Sequence, residues 1–298
     1  MYSAQLQFFD ISGERPTQKV VNVSTVPQRS PFRYPGGKTW LVPTIRKWFG
    51  SRKRKPSHFI EPFTGGGSIA LTAAFEDLAD HITMVELDED VSAVWLTILN
   101  GKGEWLANRI AQFVLTPESA KAVLSQETQA CNERAFQTIL KNRIQRGGIL
   151  AKGAGWIREG EAGKGLLSRW YPETLSRRIL DIARIKDRIS FVTGDGIQAM
   201  CQYAHVRDAL FFLDPPYTAG RGKRAGSRLY THHQVDHDEL FRVAAKLTGE
   251  FLMTYDDCPD LRTMAAQYGL QTALIPMKST HHAQMNELLI GRDLSWIR

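Results

Sequence analysis

The run Leu210-Phe211-Phe212-Leu213-Asp214-Pro215-Pro216-Tyr217 sets an acid, two prolines and a phenol directly behind four apolar residues. Four apolar side chains in a row suit a short strand covered on both faces. Proline has no N–H to give to a strand ladder, so the strand ends there and Asp214 is left at its carboxyl end. Open α/β sheets bind their ligands at that end. The prolines hold backbone carbonyls in a stiff turn, and Tyr217 adds a flat ring beside the acid. Acid, fixed carbonyl and ring together suit a planar base carrying an exocyclic amine. The same residues would also fit a plain Pro-Pro turn with a surface acid and a packing tyrosine, and it is the rest of the chain that weighs against this.

Two glycine-bearing stretches precede it. In Pro31-Phe32-Arg33-Tyr34-Pro35-Gly36-Gly37-Lys38 the glycines allow close backbone approach, Tyr34 offers a stacking face and Lys38 a positive tip. An apolar helical spacing follows through Trp40, Leu41, Ile45, Trp48 and Phe49. The Walker spacing is absent, which argues against a phosphate loop for ATP. Next, His58 to Phe63 reads as a first strand, and Thr64-Gly65-Gly66-Gly67-Ser68 opens a helix that Ser68 would help to cap. The following strand, Ile82 to Val85, ends in Glu86, about 20 residues past the glycines, where nucleotide-binding βαβ units carry the acid for ribose hydroxyls. The glycines do not match the dinucleotide fingerprint, so the acid says more than the loop, and a generic βα turn stays open for the glycines. A further strand, Ile189 to Thr193, stops at Gly194-Asp195-Gly196, leaving Asp195 either as a helix cap or as an acceptor for the amino group of a bound adenine ring.

Charge is unevenly distributed. The net charge of +7 divides into +1 over residues 1–100, +7 over 101–190 and −1 over 191–298. A basic segment between two balanced ones reads as a polyanion-facing module, with a solvated helical face as the competing reading. Within it, Leu106 to Phe113, Thr116 to Leu140 and Leu175 to Arg188 have helical patterns, and a helix over Val91 to Leu99 comes just before. Seven glycines lie between 147 and 165, where Trp156, Trp170 and Tyr171 alternate with Lys152, Arg158, Lys164 and Arg169. That mixture suits a hairpin or loop ordered by a nucleic-acid backbone, or else a flexible linker. Arg221, Arg224 and Arg228 form a second basic, glycine-rich loop just past Tyr217, suited to phosphates around an extruded nucleotide. Strands are expected at Phe251 to Tyr255, Thr272 to Pro276 and Glu287 to Ile290.

Several classes are excluded. With 43% hydrophobic and 23% charged residues the composition is that of a globular protein. No apolar run approaches the ~18 residues of a membrane span, and no signal peptide is read. Cys131, Cys201 and Cys258 lack paired spacing, which fits a reducing cytosol rather than a disulfide framework or zinc site. His232, His233, His237, His281 and His282 show no ligand spacing, so no metal is expected.

Taken in order, Tyr34-Pro35-Gly36-Gly37-Lys38, Glu61-Pro62-Phe63-Thr64-Gly65-Gly66-Gly67-Ser68, Glu86, Asp195 and Asp214-Pro215-Pro216-Tyr217 resemble the Dam-like DNA adenine N6-methyltransferases. The resemblance spans residues 31–292. It implies a Rossmann-like methyltransferase sheet, mostly parallel with one antiparallel strand near the C-terminus, carrying an inserted, mainly helical recognition domain. The implied division is an N-terminal arm (1–29), a first catalytic part (30–100), the insertion (101–188) and a second catalytic part (189–298). The implied cofactor is S-adenosylmethionine, released as S-adenosylhomocysteine. Phe63, Pro62, Gly65, Gly66 and Gly67 would lie against it, Glu86 would hold its ribose, Asp195 and Gly196 its adenine, and Tyr34, Gly36 and Lys38 its methionine end.

By the same resemblance Asp214, Pro215, Pro216 and Tyr217 would grip a flipped adenine, and Arg143, Arg146, Lys152, Arg158, Arg221, Arg224 and Arg228 would face double-stranded DNA. Arg146-Gly147-Gly148 stands where the family usually has Phe-Asn-Gly, so no target sequence carries over. Three alternatives stay open: an N4-cytosine methyltransferase, whose amine chemistry needs the same pocket; an RNA substrate; and a nucleic-acid-binding relative without catalysis. A 5-methylcytosine enzyme is excluded, because its cysteine nucleophile has no Pro-Cys step here. A cognate restriction nuclease is a candidate partner, and the expected location is the cytoplasm.

Overall fold

Strand β4 (Ala209–Leu213) is buried along its whole length because both faces of the sheet around it are covered. Its side chains alternate: Leu210 and Phe212 enter one apolar cluster, Phe211 and Leu213 the other. The computed structural model describes residues 21–217, 228–232, 234–278 and 284–297. Of the expected N-terminal arm, therefore, only residues 21–29 are described.

Six further strands complete one sheet: β1 (His58–Glu61), β2 (His81–Glu86), β3 (Ile189–Thr193), β5 (Glu250–Asp256), β6 (Gln271–Lys278) and β7 (Gln284–Gly291). Their order is β3-β2-β1-β4-β5-β7-β6. The first five are parallel, whereas β7 runs antiparallel to both β5 and β6. β1 pairs with β2 on one side and β4 on the other, so the chain reverses its direction of travel across the sheet at β1. A crevice opens at such a switch point.

One face carries α1 (Val42–Gly50), α2 (Ser68–Phe75) and α3 (Glu89–Thr97); the other carries α8 (Gly196–Gln202), α9 (His237–Lys246) and α10 (Pro259–Gln267). Between β2 and β3 lie α4 (Gly103–Gln112), α5 (Pro117–Leu124), α6 (Cys131–Ile144) and α7 (Pro172–Arg184). Leu106, Ile110, Phe136, Ile139, Ile179 and Ile182 from this insertion share an apolar cluster with Phe59 and Phe212 of the sheet. The inserted helices are thus built onto the sheet's own core.

Two expected elements differ. The helix expected from Thr116 to Leu140 is two: Thr116 forms a capping box with Ser119 that starts α5, the chain leaves the helix at Ser125, and the polar run from Ser125 to Gln129, with no apolar side chain to bury, separates it from α6. Ser68 does not cap α2: it is the first helical residue, and Gly67 precedes it with φ +63° and no side-chain cap. The glycine-rich stretch closes on itself as a short irregular hairpin, with Gln145 bridged antiparallel to Trp156 and the Arg146 N–H donating to the Gly155 carbonyl.

Candidate active site

The glycine loop is fastened to both strands beside it. Thr64 donates its hydroxyl to the Glu61 carbonyl at 2.8 Å and accepts from the Val85 N–H at 3.0 Å. Glu86 accepts the Gly65 N–H on Oε2 at 2.7 Å and the Asp88 N–H on Oε1 at 2.9 Å. Burial pushes the Glu86 carboxyl up to about 7, and the backbone donors hold it from rising further. At Gly65 φ is +48°, and a Cβ there would fall 2.5 Å from the Tyr34 ring, so the loop backbone lies directly against that ring. Glu61 is also buried, and its Oε2 accepts the Ala70 N–H at 2.8 Å.

At the end of β4, three groups converge on Oδ1 of Asp214. The Lys38 ammonium lies at 2.9 Å, the Thr254 hydroxyl donates at 2.7 Å and the Tyr217 hydroxyl at 3.0 Å. Lys38 is 3% exposed. Burial alone would lower its pKa, but Asp214 and Glu287, the latter 3.9 Å away, outweigh that and hold it above its ordinary value. The Tyr217 hydroxyl also lies 3.2 Å from Oε2 of Glu287. The Tyr217 ring is not left open: it stacks on Tyr255 at 5.5 Å between centroids, and the Lys38 ammonium lies over it at 4.9 Å.

One cavity of about 840 Å³ joins these two regions. It is lined by Tyr34, Gly36, Lys38, Pro62, Phe63, Gly65, Gly66, Gly67, Glu86, Asp195, Gly196, Asp214, Pro215, Pro216 and Tyr217, that is, by every catalytic and cofactor candidate of the sequence. Glu86 pairs in register with Thr193 on β3, so Glu86 and Asp195 stand at neighbouring strand ends. Asp195 accepts the Gln198 N–H at 2.9 Å and so does cap α8. At Gly196 a Cβ would meet the Pro62 carbonyl at 2.4 Å, which lets α8 start against the cavity wall. The donor set and the glycine cradle fit a nucleoside whose diol and amine face carboxylates, the arrangement S-adenosylmethionine would need.

The basic residues are spread more widely. Arg146, Lys152, Arg158 and Arg228 are exposed; Arg221 and Arg224 lie outside the described residues. Arg143 is a correction. It is 5% exposed, its Nη2 donates to the Pro31 carbonyl, and α6 turns it into the protein rather than toward solvent. Burial, with Arg178, Arg33 and Arg169 nearby, brings its pKa down to about 9. Its neighbour Asn142, fully buried, accepts the Arg33 N–H at 2.8 Å and donates to the carbonyls of Arg33 and Gly148, clamping the Tyr34 stretch to the turn at 145–148. Trp170, expected among the nucleic-acid-facing aromatics, is instead packed on Phe113 in the core.

Four groups around the site were not visible in sequence: Thr254, Tyr255, Tyr230 and Glu287. Tyr230 donates to the Pro35 carbonyl at 3.1 Å, and Tyr255 bonds His237 Nδ1 at 2.8 Å. The one available signal was Glu287 itself, a lone acid heading the apolar run Leu288-Leu289-Ile290. Among the described residues, no group of three or more His, Cys, Asp or Glu side chains is placed to hold a metal ion, and no helix is long and apolar enough to cross a membrane.

The sheet order, the flanking helices and the cavity at the switch point define an S-adenosylmethionine-dependent methyltransferase fold with an inserted helical region. Residues 34–108 match the family model of the D12 class N6 adenine-specific DNA methyltransferases. No curated protein matches the chain. Among solved structures it is similar to the rRNA methyltransferase aviRa from Streptomyces viridochromogenes (13% identity, 89% of this chain and 88% of that one, TM-score 0.38). It is also similar to precorrin-6y C5,15-methyltransferase from Geobacter metallireducens (9% identity, 84% of each chain, TM-score 0.36). With TM-scores below 0.5, these likenesses bear on none of the assignments below.

Proposed function

We propose that this protein transfers a methyl group from S-adenosylmethionine to N6 of an adenine swung out of double-stranded DNA. The observation that carries the reading is that Asp214, Pro215 and Tyr217 open into the same cavity as the glycine loop, Glu86 and Asp195. The family model matching residues 34–108 supports adenine in DNA as the acceptor.

In this reading Glu86 accepts from the ribose hydroxyls and Asp195 from the adenine amine of the cofactor, while Phe63 and the glycine loop lie along it. S-adenosylmethionine supplies an electrophilic methyl group on its sulfonium. The lone pair of N6 is delocalised into the purine ring and is a poor nucleophile. Hydrogen bonds from the amine to the Asp214 carboxylate and the Pro215 carbonyl favour a pyramidal nitrogen and stabilise the positive charge that develops on it. A base that stacks on Tyr217 takes the place of the Lys38 ammonium over that ring, and the stack holds the amine in position for a single displacement. Extruding the base costs a few kcal/mol, which contacts in the pocket offset.

A cluster of guanidinium groups supports a polyanionic partner. Arg33 and Arg178 line the cavity, and Arg33 Nη1 has no hydrogen-bond partner among the described residues. The insertion at 101–188 is the proposed recognition region, with Arg146, Lys152 and Arg158 on its exposed surface.

The test is transfer from labelled S-adenosylmethionine to mixed-sequence duplex DNA, followed by digestion to nucleosides. Label in N6-methyldeoxyadenosine is expected. Label in N4-methyldeoxycytidine would move the acceptor to cytosine, and label appearing in RNA alone would overturn the DNA assignment.

A further inference from the structure

We infer that Glu287 is the final acceptor of the proton released by the amine, reached from Asp214 through the hydroxyl of Tyr217; the inference rests on the methyl-transfer reading above. Of the three groups on Oδ1 of Asp214, Thr254 is a donor to that oxygen, Lys38 is its ion pair, and Tyr217 is a hydroxyl also within hydrogen-bond distance of another carboxylate. A phenol has one proton and here faces two acids. It can give that proton to one and take another from the second, which makes it a two-way link between them.

The placement of Glu287 has no packing explanation. It heads Leu288-Leu289-Ile290 on β7 and is 6% exposed, so an unpartnered acid there would be costly. The antiparallel return of β7 sets Glu287 opposite Asp256, level with the end of β5, the strand that lies between it and the β4 end where Asp214 stands. The groups facing it are Lys38 from the Tyr34 stretch, Asp214 and Tyr217 from the β4 turn, Asp256 from β5, and Tyr230. Asp214 and Glu287 share Lys38, and Asp256 adds a third acid, so the site with these acids ionised carries an excess negative charge that a proton reduces. Burial, then Asp214 and Asp256, push Glu287 up to about 7 against the pull of Lys38.

The step balances. As the methyl–nitrogen bond forms, N6 holds one proton too many. Its N–H bond breaks toward the Asp214 carboxylate, Tyr217 hands its hydroxyl proton to Glu287, and Tyr217 takes up the proton from Asp214. Asp214 and Tyr217 end as they began, and one proton has moved from N6 to Glu287. No oxidant or further reactant is needed. Glu287 does not touch the base, so it is a positioning and relay group.

The experiment is single-turnover transfer to adenine-containing duplex across the neutral range, with wild type, E287Q and E287D. The wild-type rate is expected to rise with pH with an inflection near 7, because Glu287 must be ionised to accept. E287Q is expected to be slower by about tenfold or more and to lose the inflection, with cofactor and DNA binding unchanged and part of the inflection restored in E287D. A readout independent of activity is the stability of the cofactor-free protein. Wild type should lose stability relative to E287Q as pH rises through neutrality. An E287Q enzyme with the wild-type rate and inflection overturns the inference while leaving the methyl-transfer reading intact; no transfer by wild type to any duplex overturns that reading, and the proton route with it. If E287Q does not fold, Y217F interrupts the same route, and retention of the inflection there is equally fatal.

Discussion

The Lys38 ammonium and the Asp214 carboxylate are joined at 2.9 Å inside the protein, tying the Tyr34-Pro35-Gly36-Gly37-Lys38 turn to the end of the central strand. Removing the lysine leaves Asp214 and Glu287 facing one another without a cation. Lys38→Met is therefore expected to destabilise the fold by about 3–5 kcal/mol, the range seen when one partner of a buried pair is deleted. The loss should shrink as pH falls, because protonating either acid removes the uncompensated charge. Urea unfolding at two pH values measures both, and equal stability of variant and wild type would show that the pair contributes nothing net.

Asp214→Ala separates chemistry from binding. The carboxylate is held by Lys38, Thr254 and Tyr217 rather than by the groups around Glu86 and Asp195, so calorimetric affinity for S-adenosylmethionine is expected to hold. Loss of the group that stabilises charge on the amine should lower transfer by about 10²–10³-fold. A variant that transfers at the wild-type rate removes Asp214 from the mechanism.

Much of this site was legible because its parts follow rules of strand ends. Proline after Leu213 stops β4, Gly194 follows β3, and Glu86 closes β2, so each acid is delivered to the same edge by local chemistry alone. Glu287 was not legible, since its meaning comes from an antiparallel strand that reaches the edge from the opposite direction, paired to β5 far away in sequence. Arg143 was misjudged for a related reason. A basic residue on a helix reads as solvated until its neighbours are known, and here Asn142 and Pro31 draw that turn of α6 inward. The Thr116 to Leu140 pattern hid a break because the polar run from Ser125 to Gln129, which separates α5 from α6, contains no glycine or proline to mark it.

The glycine loop makes a steric prediction with an internal control. Gly65→Ala forces a Cβ to 2.5 Å from the Tyr34 ring at φ +48°, whereas Gly153→Ala places one in open space at φ +88°. Both carry the strain of a left-handed backbone, about 1–2 kcal/mol. Only Gly65→Ala should also displace Tyr34 from the cavity. Thermal unfolding should show the larger loss for Gly65→Ala, and cofactor affinity should fall in that variant alone.

Cofactor affinity should depend on pH through Glu86. Its carboxyl sits at about 7 in the free protein, raised by burial. Ribose hydroxyls donate to the ionised form, so affinity is expected to rise as pH increases through 7 and then level off, and Glu86→Gln should bind more weakly with that dependence removed. The same raised value makes the ionised acid a burden on the fold. The folded state holds its proton to higher pH than the unfolded chain, so its contribution to stability is present in acid and is lost as pH rises through 7. Calorimetric titration at several pH values tests the first effect and thermal unfolding the second.

The arginines divide by where their charge is spent. Arg146 and Arg158 are exposed beside the closed hairpin, so replacing either with alanine is expected to weaken DNA binding and lower the salt slope by about one counterion each, with little change in stability. Arg143 donates to the Pro31 carbonyl from a buried position. Arg143→Ala is expected to leave the salt slope unaltered and to cost about 1–3 kcal/mol, because it strands that carbonyl and opens space in the core. Fluorescence anisotropy over a salt series, set beside urea unfolding of the same variants, resolves the two roles. A reduced slope in Arg143→Ala at wild-type stability would return that residue to the nucleic-acid face, and would require α6 to present it differently when DNA is bound.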